Sequence, residues 1–216
     1  MPSGTAESSL RVSIEPGSAY TQKTKMGLMS MTVIPQMAIW IEAEDGRFID
    51  TIYVTKKSAT GKWSAAGGSR RPEALPVWSH ARGIKNPDGG YMPDPKKALP
   101  DAVSGATPNK AFEKSWKLPA SLVPGLYRIK VELNSSFDWN EAYPDKLPKS
   151  HPRWSEVNGQ PSLVYEASIR LGGGSASVLL KPVGSGALRG EDGKVAPGLE
   201  GLTTALKLIE SIKAEL

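Results

Sequence analysis

Cysteine is absent from the 216 residues. That excludes disulfides, thiolate nucleophiles and zinc–cysteine sites together, and it fits a cytoplasmic or a bacterial extracytoplasmic protein equally well. Histidine is almost absent. His80 and His151 stand alone without metal-ligand spacing, which favours surface or hydrogen-bonded roles over ligation. No apolar run nears the roughly 18 residues of a membrane helix. The opening Met1-Pro2-Ser3-Gly4 lacks the basic and apolar regions of an export signal, and the small polar residues through Ser9 look like the mature start of an exported protein. Also missing are a G-x-S-x-G elbow, a Walker loop, an H-E-x-x-H helix and a G-x-G-x-x-G turn, so no enzyme signature is present. The net charge of +5 is modest and its lysines and arginines are scattered, which argues against nucleic-acid binding. The pairs Lys56-Lys57, Arg70-Arg71 and Lys96-Lys97 read as solvated loop positions.

What is present reads as short strands. Length and a 39% hydrophobic content suit one globular domain, or one domain plus a small appendage. Leu10, Val12 and Ile14 alternate with polar residues and predict a first strand that Pro16-Gly17 ends. Asp45-Gly46, between Met37–Ala43 and Phe48–Val54, predicts a β-hairpin in which Trp40 and Tyr53 pack across strands. Further strands are expected over Leu126–Leu133, after the Pro124-Gly125 turn, over Leu163–Leu171, and over Ser177–Val183. Leu199, Leu202, Leu206, Ile209 and Leu216, with Ala205 and Ile212 beside them, then fit a three-and-four spacing, which predicts an amphipathic C-terminal helix. The expected architecture is a mainly β, antiparallel β-sandwich with long loops and that helix. Its parts are an extension with the first strand over 1–24, the sandwich over 25–180, and a linker with the helix over 181–216.

Two long aperiodic stretches, Lys56–Pro100 and Asn134–Asn158, carry the candidate recognition residues. In the first, Arg71, Trp78, His80 and Arg82 surround a short apolar segment, and their guanidinium groups suit a phosphate or carboxylate clamp. Alternatively, Ala74–Trp78 fastens the loop to the sheet and the arginines stay solvated. In the second, Trp139, Tyr143 and Trp154 offer large contact areas for a partner or a glycan, beside Asp138, Glu141 and Asp145.

The most pointed segment is Asp101-Ala102-Val103-Ser104-Gly105-Ala106-Thr107, followed by Pro108. Gly105 admits close backbone approach, Ser104 and Asp101 offer local hydrogen bonds that hold a tight turn open, and Ala106 leaves Thr107 uncluttered. With Pro100 and Pro108 at its ends the same segment is also ordinary turn chemistry. The run resembles the D-x-x-S-G-A-T acceptor at which a flavin transferase esterifies FMN phosphate onto threonine. That resemblance implies a covalent FMN on Thr107, with Asp101, Ser104, Gly105 and Ala106 as the acceptor segment, and Trp78, Tyr91 or Trp116 as stacking partners for the isoalloxazine. Threonine is a poor nucleophile, so activation falls to the transferase and its metal.

Taken with the Trp40/Asp45-Gly46 hairpin, Pro124-Gly125-Leu126-Tyr127 and Asn158-Gly159-Gln160-Pro161, this motif makes the chain, over roughly residues 25 to 171, similar to the bacterial periplasmic family DUF2271. The resemblance implies an immunoglobulin-like sandwich in the periplasm, a non-catalytic redox role, and a flavin transferase and a membrane redox protein as partners. A ligand- or glycan-binding sandwich without flavin is the alternative.

Overall fold

The alternation at Leu10, Val12 and Ile14 becomes strand β1 (Ser9–Pro16), with all three side chains buried. The computed structural model describes residues 9–26, 29–63, 70–100 and 103–216. A hairpin of β2 (Gln22–Met26) and β3 (Met29–Val33) follows. The Asp45-Gly46 turn joins β4 (Gln36–Ala43) to β5 (Phe48–Thr55), with Gly46 at φ 86° and Asp45 Oδ1 accepting from the Arg47 N–H. The remaining strands are β6 (Ser104–Gly105), β7 (Phe112–Lys117), β8 (Gly125–Asn134), β9 (Leu163–Leu171), β10 (Ser177–Leu179), β11 (Lys181–Ser185) and β12 (Ile209–Glu215).

They assemble into a six-stranded sheet, β11-β9-β8-β4-β5-β6, and a four-stranded sheet, β10-β12-β1-β7. Every pairing is antiparallel except β5 with β6. Between the sheets lies a core to which β1 gives Leu10, Val12 and Ile14, β4 gives Met37, Ile39 and Ile41, β8 gives Ile129, Val131 and Leu133, and β12 gives Ile209 and Ile212. The chain is thus mainly β, a sandwich of antiparallel sheets.

The expected C-terminal helix is a strand. After a short 3₁₀ turn (Thr204–Lys207), β12 pairs with β1, placing Ile14 opposite Ile212 and Pro16 opposite Ile209. One extra residue intervenes between those pairs, a β-bulge at Glu210. Ile209 and Ile212 therefore share a face at a three-residue spacing that imitates helical periodicity. β1 and β12 are the two inner strands of the smaller sheet.

The large sheet is covered on its second face as well. β4 is buried from Gln36 to Glu42, and its second face, with Ala38 and Trp40, needs apolar cover. The 56–100 stretch supplies it through α1 (Lys56–Thr60) and α2 (Pro76–Ala81). Ala59, Trp63, Leu75, Val77, Trp78 and Met92 pack there on Trp40, Val54 and Val164. Pro76 opens α2, where a missing N–H does no harm. Beside this apolar half, Lys130 bridges Glu42 at 2.9 Å and Glu166 at 3.3 Å, while Trp40 Nε1 donates to Glu42 Oε1.

Candidate functional site

Within the acceptor-like run, Asp101 and Ala102 lie outside the described residues; Val103 onward is the edge of the large sheet. Ser104 and Gly105 pair with Val54 and Thr55 at the end of β5, and the Val54 N–H donates to the Val103 carbonyl at 2.8 Å. Gly105 suits a close approach: a Cβ there would stand 3.1 Å from Cε2 of the Tyr53 ring, a tight contact that the ring would have to yield to. Beyond the strand, two phenols hold the backbone. Tyr53 donates its hydroxyl to the Ala106 carbonyl at 2.8 Å, and Tyr20 donates to the Pro108 carbonyl at 2.9 Å. Thr107 lies between these anchors, half-buried, and among the described residues nothing hydrogen-bonds its hydroxyl.

Burial pushes the Tyr53 phenol up to about 12, and burial together with the neighbouring Tyr53 raises Tyr20 as well. Both stay protonated donors across the physiological range. The Tyr53 ring packs on Phe112 with centroids 5.2 Å apart. The turn around Thr107 is therefore fastened to the inter-sheet core by side chains that are themselves locked.

The same end of the sheet carries a cleft of about 80 Å³. Gln36 starts β4 there, opposite Asn134 at the end of β8, and its amide oxygen accepts from the hydroxyl of Thr55. Met31, Val33, Ile34, Trp63, Phe137 and Val157 line the cleft, with Thr32, Gln36, Lys57, Arg71 and Ser136 as its polar members. Phe137 has φ 59°, unusual for a residue with a side chain, and is held by its N–H donating to the Val157 carbonyl at 2.7 Å.

The clamp residues expected in the first long stretch have other work. Arg71 is buried, not solvated: its Nε donates to Glu73, Nη1 to Ser136 at 2.6 Å and Nη2 to Asn158, and its guanidinium lies 4.8 Å from the Trp63 ring centroid. Three of its five N–H donors are thereby engaged within the fold. Trp78 is fully buried, with Nε1 bonded to Thr51, so it is core and not a stacking platform for a flavin. Arg82 lies over Trp78 at 5.0 Å. His80 bonds the Pro76 carbonyl through Nδ1 and stacks on Tyr91, with centroids 4.1 Å apart. Trp116 is half-buried and donates to Asp50. The fastening alternative describes Ala74–Trp78 well, but not Arg71.

The second stretch does not gather its aromatics into one groove. Trp154 lines a shallow hollow with Pro72, Glu73, Glu156 and Arg189, and Lys149 stands over its ring at 5.8 Å. Tyr143 packs instead on the inter-sheet core, near Gly201, and burial raises its phenol pKa. Trp139 is half-buried and shares neither the Trp154 hollow nor the cleft. Asp138 is buried and accepts from Thr204, so it is a structural carboxylate; Glu141 and Asp145 are exposed.

Glu132 went unnoticed in the sequence because its neighbours alternate as in an ordinary half-solvated strand. It is fully buried and accepts from the Val77 N–H at 3.2 Å, the Trp78 N–H at 2.8 Å and the Ser162 hydroxyl at 2.6 Å. Burial pushes its carboxyl up to about 7 against those three hydrogen bonds. It ties α2 to the middle of the large sheet. Tyr20 and Trp63 also carried no signal beyond being aromatic. No family model, no curated protein and no solved structure matches this chain.

Proposed function

We propose that this chain is a periplasmic flavin carrier of the DUF2271 kind, with an immunoglobulin-like sandwich, on which a flavin transferase joins FMN to Thr107 and which passes electrons to a membrane redox partner. The observation that carries the reading is the presentation of Thr107: an S-G-A-T run on a sheet edge, with a hydroxyl that nothing in the described fold engages, between two backbone anchors. Thr107 Oγ attacks the FMN-side phosphorus of a flavin dinucleotide bound by the transferase, the pyrophosphate P–O bond breaks and the nucleoside monophosphate leaves, and the hydroxyl proton passes to a base of the transferase. The product is a phosphodiester, and the protein's part in later redox chemistry is to position the flavin and set its surroundings.

The test is co-expression with a flavin transferase in an export-competent host, followed by intact mass and the visible spectrum of the denatured chain. A gain of one FMN less water, abolished in Thr107→Ala, is the expected result. An unmodified chain beside a modified control acceptor would overturn the reading.

A further inference from the structure

Trp63 is 5% exposed, and its indole Nε1 meets no hydrogen-bond acceptor among the described residues. A buried donor without a partner is unusual in a folded protein and calls for a missing acceptor. Trp63 forms a wall of the cleft at the end of β4 and β8. Arg71 stacked on its ring fixes the plane of the indole, and Phe137, in its left-handed conformation, stands at the same cleft. A cleft that combines aromatic and aliphatic walls with polar side chains and one unused N–H matches a planar heteroaromatic ring that carries carbonyl oxygens.

Position supplies the second argument. Gly105, two residues before Thr107, pairs with Thr55, and Thr55 bonds Gln36 at the cleft, so Thr107 and the cleft share one end of the sheet. From β6 to β4 is two strand spacings, roughly 10 Å, a gap that a ribityl phosphate spans. Lys57 lines the cleft beyond Thr55 and has no acidic partner among the described residues, whereas Arg71 already pairs with Glu73 and bonds Ser136 and Asn158.

We infer that this cleft seats the pyrimidine edge of the isoalloxazine, a step that rests on the FMN reading of Thr107. A ring carbonyl accepts from Trp63 Nε1, and Lys57 faces the phosphodiester. The cleft's 80 Å³ holds on the order of six non-hydrogen atoms, so one edge enters and the rest of the ring lies over the mouth. Nε1 is closed to solvent, so the ring widens the slot as it enters.

The experiment begins from the flavinylated chain verified by mass, and reads flavin emission and its quenching by iodide. The expected result is a dim flavin protected from iodide, with protection falling about threefold to tenfold in Trp63→Phe, which keeps the ring but removes the donor. Lys57→Gln, an exposed position that spares the fold, lowers protection in the same direction. A modified chain whose flavin emits and quenches like free FMN, unchanged in both variants, overturns the docking and leaves the carrier reading intact. If no FMN is attached, lumiflavin anisotropy with the unmodified chain decides instead. Binding weakened in Trp63→Phe supports the site, and the absence of binding overturns it.

Discussion

The Tyr53 hydroxyl donates to the Ala106 carbonyl at 2.8 Å, one residue before the threonine on which the acceptor segment turns. Because Tyr53 sits on β5 with its ring against Phe112, the bond couples the turn to the inter-sheet core. Tyr53→Phe keeps the packing and removes the bond. The expected outcome is a loss of about 1 kcal/mol in urea unfolding together with slower FMN incorporation, followed by intact mass over time. A variant modified at the wild-type rate would show that this anchor does not serve the acceptor.

Glu132 makes stability depend on pH with a definite sign. Its folded carboxyl lies near 7, above the ordinary value of 4.5, so across that interval the folded chain binds a proton that the unfolded chain has released. Its stabilising contribution is thus complete below about pH 4.5 and is lost as pH rises to about 7, a fall on the order of 3 kcal/mol. Urea midpoints of Glu132→Gln, compared with wild type between those values, should lack this fall.

Arg71 and Glu73 form a buried pair, with 2.8 Å between Nε and Oε1. Arg71→Gln strands the Glu73 carboxylate and is expected to destabilise by about 3 to 5 kcal/mol, whereas Arg71→Met with Glu73→Leu recovers most of that. Chemical denaturation of the single and double variants checks it. Equal losses in both would mean that the bonds to Ser136 and Asn158 dominate.

Trp78 and Trp154 separate core from surface among the candidate recognition residues. Trp78→Ala empties a fully buried site and should cost about 3 to 5 kcal/mol. Trp154→Ala, half-buried with Lys149 over its ring, should cost about 1 kcal/mol or less. If thermal melts of Trp154→Ala and Trp139→Ala are nearly unchanged while glycan or partner capture falls, those two positions form a recognition surface.

Ending the chain at Leu208 removes β12 from between β10 and β1 and takes Ile209, Ile212 and Ala214 out of the core. Near-ultraviolet circular dichroism of that truncation should lose its tertiary signal. A C-terminal appendage would have come off without such an effect.

By itself the sequence determined the elements whose pattern is local. Period-two alternation gave β1, β8 and β9, and Asp45-Gly46 gave the β4–β5 hairpin, because side-chain direction and turn chemistry act within a few residues. The S-G-A-T run was legible for the same reason, as a row of small residues with one hydroxyl. Tertiary structure alone decided the rest. Ile209 and Ile212 read as helical until pairing with β1 revealed a bulge, and a bulge exists only relative to a partner strand. Arg71 read as solvated until Glu73, Ser136 and Asn158, the last two distant in sequence, converged on its guanidinium. The tyrosines that bracket Thr107 bond Ala106 and Pro108 from 53 and 88 residues away, and the burial that pushes Glu132 up to about 7 exists only once α2 is packed over the sheet. In each case the deciding contact joins parts of the chain whose spacing leaves no mark on either.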